Sequence, residues 1–202
     1  AFTDNHVSGY SNTVEFSLLS GSVIYISPSG SDFSGNGTSN YPYKTIQKGI
    51  DNAENEDLIL VEDGLYNESI DYTQKTLTIV SHYWIDNDTN HVNNTIIQAV
   101  DGRVVMMNGI GSKLIGFTIT GGNSAVGCGV YAAQIGLDIS NCKIIDNGSN
   151  SDYEDGIRSG AGIYLWWNTM LTISDCIISN NNFYSNNDVI YGGGIFLNGN
   201  TT

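Results

Sequence analysis

Basic residues are scarce in this chain: seven lysines and arginines stand against 21 aspartates and glutamates, giving a net charge of −14. A surface of that sign repels phosphate backbones, which excludes nucleic acid as a partner. It attracts divalent cations, or simply keeps the protein in solution. Cysteine is nearly absent as well, with three in 202 residues. Cys128, Cys142 and Cys176 fall at no metal-ligand spacing and read as small, reduced core residues. No stretch approaches the ~20 consecutive apolar residues of a membrane-spanning helix. Helical periodicity long enough for tetratricopeptide or ankyrin units is missing too. No basic or amphipathic targeting segment opens the sequence, and Ala1 is compatible with a mature N-terminus left by signal removal.

Turn-forming residues are abundant, with 24 glycines and 24 asparagines, as expected where the chain bends every few residues. They punctuate a repeat. Gly127-Cys-Gly-Val-Tyr131, Gly160-Ala-Gly-Ile-Tyr164 and Gly192-Gly-Gly-Ile-Phe196 are three versions of one pattern. Leu137-Asp-Ile-Ser-Asn-Cys142 and Leu171-Thr-Ile-Ser-Asp-Cys176 alternate with them, and Leu114-Ile-Gly-Phe-Thr-Ile-Thr120 is a weaker copy. Val105 to Val130 and Phe117 to Cys142 are both 25 positions. Cys142 to Cys176 is 34, the same unit with an inserted loop containing Ser151 to Gly156. Alternation of apolar and polar residues within each unit is the period of a strand with one buried face.

Short strands repeated at this interval predict an all-β parallel β-helix, with a β-sandwich of coincidental similarity as the rival. Superposing the units gives columns of like residues: Leu114, Ile139 and Ile173; Phe117, Cys142 and Cys176; Ile119, Ile144 and Ile178; Val105, Val130, Ile163 and Ile195. Coils spaced ~4.8 Å apart would stack each column inside the tube. Asn147 and Asn181 form a further column, of amides able to pair with each other and with turn backbone.

Three regions follow. Residues 1–21 lie outside the repeat, with Val14-Glu-Phe-Ser-Leu18 as a pairing strand. Residues 22–75 form an N-terminal cap and first coil, in which Tyr41 to Ala53 reads as a short helix with Ile46, Ile50 and Ala53 on one face. Such a helix can lid the open end of a solenoid. Residues 76–202 supply the coils, interrupted by a polar loop from His82 to Asn94. The last coil, ending at Gly199-Asn-Thr-Thr202, reads as unfinished.

The run Ser27-Pro-Ser-Gly-Ser-Asp32, Tyr41-Pro-Tyr-Lys-Thr-Ile-Gln-Lys-Gly-Ile50, Leu58-Ile-Leu-Val61 and Gly64-Leu-Tyr-Asn-Glu-Ser-Ile70 resembles the N-terminal cap of pectate-lyase-like right-handed parallel β-helix proteins. The downstream units resemble the repeats of large secreted or surface-attached microbial members. This resemblance implies a right-handed solenoid and an extracellular or cell-surface location. The enzymes it brings in cleave acidic polysaccharides, with a Lys or Arg base and calcium in the lyases and paired acids in the hydrolases. The superfamily also holds adhesins and structural proteins, so fold alone does not choose among them.

No catalytic motif of those enzymes maps onto this chain. Lys143 with Asp138 and Asp175 on neighbouring coils is the nearest imitation. Asp86, Asp88 and Asn90 begin like a calcium loop, but His91 stands at the sixth position and Ile97 at the twelfth, where an EF-hand needs Gly and Glu. Asp152, Glu154 and Asp155 form a second acidic loop. Each loop is a candidate for a weak calcium site or a solvated loop, and no motif requires a cofactor. His6, His82 and His91 read as surface residues. Regular threonine rows of the ice-binding kind are broken where Lys143 falls opposite Thr118. Asn-x-Ser/Thr sequons occur at Asn36, Asn67, Asn87, Asn93, Asn147 and Asn200. Tyr164, Trp166 and Trp167 offer an aromatic platform for sugar, or packing beneath the following loop. Two roles are expected: a non-enzymatic surface protein, assembling head to tail with its own copies into a filament or acting as an adhesin, or a polysaccharide-binding or lyase module.

Overall fold

A computed structural model describes residues 21–148, 157–167, 169–184 and 189–199. Its strands cycle through three parallel sheets in turn. The first holds β1 (Val23–Ile26), β2 (Leu58–Val61), β5 (Thr78–Ser81), β8 (Lys113–Ile115), β11 (Leu137–Ser140) and β15 (Leu171–Ser174). In the second are β3 (Gly64–Asn67), β6 (Thr95–Gln98), β9 (Thr118–Thr120), β12 (Lys143–Ile145) and β16 (Ile177–Ser179). The third comprises β4 (Ile70–Asp71), β7 (Val105–Met107), β10 (Val130–Ala132), β14 (Ile163–Leu165) and β18 (Ile195–Leu197). This is a right-handed β-helix-like solenoid. A small outer pair, β13 (Ile157–Ser159) with β17 (Val189–Tyr191), extends the corner before β14 and β18.

The predicted columns are the observed registers. Ile139 lies between Leu114 and Ile173, Ile144 between Ile119 and Ile178, and Val130 between Val105 and Ile163. Thr118 pairs with Lys143, as the superposition required. The inward residues merge into one core cluster along the tube. Corners between sheets are made by residues in the left-handed backbone region, stacked coil over coil. Gly116, Asn141 and Asp175 (φ 86°, 52° and 51°) form one such column, and Gly121, Asp146 and Asn180 (φ 78°, 55° and 56°) the next. Only glycine enters that region freely, and Asn and Asp are the side chains that tolerate it best. The wealth of Gly and Asn is thereby tied to geometry.

Cysteine and asparagine complete the corners from inside. The Phe117 amide donates to Cys142 Sγ at 3.5 Å and the Cys142 amide to Cys176 Sγ at 3.4 Å. Both thiols donate in turn to carbonyls, Cys142 to Ser140 and Cys176 to Ser174, each at 3.2 Å. All three cysteines are free thiols.

The cap helix, α1 (Ile46–Asn52), is shorter than the Tyr41–Ala53 segment read from the sequence, because Tyr43 instead bridges to Ile26 in extended backbone. Ile46, Ile50 and Ala53 are buried in the core cluster as expected. Seven residues cannot sustain a helix alone, and charge holds both ends. Glu68 accepts from the Ile46 and Gln47 amides at 2.9 Å each. Lys75 Nζ donates to the Ile50 and Asp51 carbonyls at 2.7 and 3.0 Å. Anion at the N-terminus and cation at the C-terminus both suit the helix dipole.

The segment His82 to Asn94, expected as a polar loop, contains two short helices, α2 (Tyr83–Asp86) and α3 (Thr89–Asn94). Tyr83, Trp84 and Ile85 pack on a satellite cluster of Leu58, Leu60, Val80 and Ile115 on the outer face of the first sheet. Strand β2 is thus buried on both faces, which accounts for its unbroken Leu-Ile-Leu-Val run.

Candidate functional site

The α2–α3 insertion leaves the second coil at the corner between the first and second sheets, and it overhangs the later coils. Tyr83 Oη donates to Asn141 Oδ1 at 2.9 Å, and Lys143 Nζ donates to Asn93 Oδ1. Thr118 Oγ1 donates to the Val92 carbonyl at 2.7 Å. Beneath this arm lies a groove of about 230 Å³, lined by Tyr83, Thr89, Val92 and Asn93 from the arm and by Asn141, Cys142, Lys143, Asp175 and Ile177 from the coils. Asn141 and Asp175 reach it because both occupy the left-handed corner column.

Of the three residues grouped from the sequence, Lys143 and Asp175 share this groove, whereas Asp138 is not among its lining residues. Asp138 stands on the outer face of the first sheet, paired in register with Lys113 and Thr172. One of its carboxylate oxygens is buried with no hydrogen-bond partner. Asp138 thus belongs to the first sheet, Lys143 to the second, and Asp175 to the corner between β15 and β16.

The loop that resembled a calcium site uses its carboxylates to shape backbone. Asp86 Oδ1 accepts from the Asp88 amide at 2.9 Å, and Asp88 Oδ1 caps α3 through the Asn90 amide at 2.9 Å. Among the described residues no group of three His, Cys, Asp or Glu is arranged to hold a metal ion. Asp152, Glu154 and Asp155 lie outside the described residues, as do His6 and the 1–20 segment.

His91, expected at the surface, has two partners in the structure. Nδ1 lies 2.7 Å from Asp63 Oδ1 and Nε2 lies 3.2 Å from Asp86 Oδ2. Partial burial opposes charging the ring, but hydrogen bonds and charge from Asp63 and Asp86 outweigh it and raise the His91 pKa. The neighbouring Asp88 amide, and then His91, hold the Asp86 carboxyl below its usual range. No local motif marks this bridge, since Asp63 is 28 residues away.

A second feature runs along the outside of the third sheet. Tyr131 stacks on Tyr164 at 5.4 Å and 12°, and Tyr164 on Phe196 at 5.6 Å and 26°. The Arg103 guanidinium lies 4.4 Å from the centre of the Tyr131 ring. Trp166 leans on both tyrosines at 6.3 Å. Tyr164 is buried in this ladder, while Trp166 and Trp167 are half exposed. The ladder rings occupy one another's faces, so their edges and the two indoles are what the surface presents.

No known family model, curated protein or solved structure matches the chain. What places it is architecture: a parallel β-helix solenoid. Among the described residues no helix is long and apolar enough to cross a membrane.

Proposed function

We propose that this chain is an extracellular or cell-surface β-helix protein of the pectate-lyase-like kind, and that its corner groove binds polysaccharide without cleaving it. The observation that carries this reading is the groove's composition. An aromatic ring at Tyr83, amides at Asn93 and Asn141, one ammonium at Lys143 and one carboxylate at Asp175 meet apolar groups of Val92 and Ile177. A pyranose ring has apolar C–H faces and a rim of hydroxyls, and it needs that mixture of surfaces, donors and acceptors. At about 230 Å³ the groove is smaller than the ~300 Å³ at which drug-sized sites begin. It suits one ring of a longer chain.

Repetition along the solenoid favours a polymer. Each coil presents the same corner position ~4.8 Å further along the axis, so a linear ligand can follow the column past Gly116, Asn141 and Asp175 in turn. The likeness of residues 22–75 to lyase caps supports a glycan rather than another polymer. Hydrolysis asks for more than the groove offers. Glycoside hydrolysis uses two carboxylates flanking one bond, and Asp175 is the single carboxylate lining the groove.

Affinity electrophoresis of the whole chain on pectate, alginate and neutral glucans, with an absorbance assay for unsaturated products in calcium, tests this. Retention on at least one glycan without product release is expected. Lys143→Gln combined with Asn93→Ala should weaken retention by roughly tenfold, the loss of about one net charge-assisted hydrogen bond. No retention on any glycan, or equal retention by the double variant, overturns the reading.

A further inference from the structure

The arm that walls the groove is tied down on two sides, and between them the Val92 carbonyl accepts from Thr118 Oγ1 at 2.7 Å. Toward the fourth coil it is held by the Tyr83–Asn141 and Lys143–Asn93 contacts, residues that themselves line the groove. Toward the first coil, where α2 packs on Leu58 and Leu60, the hydrogen bonds of the α3 segment converge on one residue outside the groove. Asp63 Oδ1 lies 2.7 Å from His91 Nδ1 and accepts from Thr95 Oγ1 at 3.2 Å, and Oδ2 accepts from Asn94 Nδ2 at 3.4 Å. These three partners sit in and just after α3, the helix that also carries Val92 and Asn93 to the groove. Six residues are too few to hold a helix without tertiary contacts.

Asp63 is itself firmly placed. A Cβ on the next residue, Gly64, would come within 2.2 Å of Pro28 Cγ, so the turn lies flat against the cap loop. One residue earlier, the Glu62 carbonyl accepts from Tyr66 Oη at 2.8 Å. A side chain on a fixed turn, bonded to two residues of a six-residue helix and to the one that follows it, determines where the C-terminal end of that helix lies.

We infer that Asp63 is the positioning residue of the groove: acting through His91, Asn94 and Thr95, it sets the height of α3 and so the place of Asn93 and Val92 against Lys143 and Ile177. This rests on the reading of the groove as the binding site, but the positioning itself is measurable without any ligand. Loss of the Asp63 carboxylate removes all three ties at once and leaves the groove's own residues untouched. The freed α3 then opens locally while the coils beneath stay closed, because core strands and attached segments open with different free energies.

Hydrogen exchange on the whole chain, resolved by peptide or by residue, tests the inference with Asp63→Ala and Asp63→Asn. In Asp63→Ala the amides of residues 89–95 should exchange on the order of tenfold faster, the equivalent of one lost net hydrogen bond to a charged group, with exchange in β8 to β12 unchanged. Asp63→Asn keeps one acceptor oxygen, in the Oδ1 position that serves His91 and Thr95, gives up the one that serves Asn94, and should restore protection to within about threefold of the parent. Binding of the glycan retained by the parent chain should fall in Asp63→Ala by a factor similar to the exchange gain. Unchanged exchange at 89–95 in Asp63→Ala overturns the inference, and so does equal acceleration across β8 to β12. Should no glycan bind the parent while the arm still loosens, the functional reading fails and the positioning stands.

Discussion

Asn147 and Asn181, 34 residues apart in sequence, lie one coil apart with the Asn147 side-chain amide donating to Asn181 Oδ1 at 3.0 Å. The same Asn147 amide group donates to the Ile119 and Ile145 carbonyls, and its oxygen accepts from the Gly122 amide. One buried side chain therefore serves three coils.

Asn147→Ala would leave the Gly122 amide and the Ile119 carbonyl without these partners in the interior. An unsatisfied buried group costs about 1–3 kcal/mol, so urea denaturation should show a loss of roughly 3 kcal/mol with an unchanged slope. A loss below about 1 kcal/mol would mean that the ladder is not what closes this corner. Asn147 is also a sequon, and at 2% exposure it should stay unmodified in a glycosylating host while exposed Asn67 remains available, which peptide mass spectrometry reads directly.

Glu68→Ala removes the acceptor from both amides at the start of α1. The expected cost is about 1–2 kcal/mol, as for loss of a strong helix cap, seen as a lower thermal midpoint. Burial, opposed by the two amides, raises the Glu68 carboxyl above its ordinary value. Ionising it is thus harder in the fold than in the unfolded chain, and the stability linked to this group falls as pH rises through the folded-state pKa. In Glu68→Gln that component of the pH dependence should vanish, and the loss should be smaller than for alanine.

His91 should titrate with a midpoint above the ~6.5 of a free histidine, measured by its ring proton shifts. A neutral imidazole has one N–H and cannot donate to Asp63 and Asp86 together. Because the pKa is raised on folding, this bridge contributes fully below the unfolded value and is lost as pH rises through the folded one. Asp86 sets the lower edge: its depressed carboxyl keeps the contribution until pH falls through its own folded-state value. Protection of residues 89–95 should accordingly be greatest in mildly acidic solution. A flat profile from pH 5 to pH 8, the range in which His changes charge, would rule out the charged bridge.

Native-state alkylation should mark Cys176 first. Its hydrogen bond with the Cys142 thiol, against some burial, holds it below the ordinary thiol value. Burial pushes Cys128 up to about 12 and Cys142 well above its usual range. One adduct, on Cys176, is expected before unfolding, and modification of Cys128 or Cys142 at a comparable rate would contradict this packing.

Residues 114–178 could be read in advance because neighbouring coils make each position meet its own counterpart. Leu114, Ile139 and Ile173 had to match one another, and so did Phe117, Cys142 and Cys176. The cap helix was legible for a related reason, since Ile46, Ile50 and Ala53 lie on one face of a single turn pattern. The arm was not. Helices of four and six residues are shorter than the window in which helical periodicity declares itself, and Tyr83-Trp84-Ile85 is too short an apolar run to show which face it covers.

By itself, the sequence determined the solenoid, its register and the contents of its core, because a repeated environment leaves a repeated residue at a fixed interval. Only the tertiary structure decided the candidate site. It brought Asn93 to Lys143 across 50 positions and Asp63 to His91 across 28, and it left Asp138 out of the groove that Lys143 and Asp175 line. Contacts between one coil's insertion and other coils' corners are made once each, so no period exists in the chain from which to infer them.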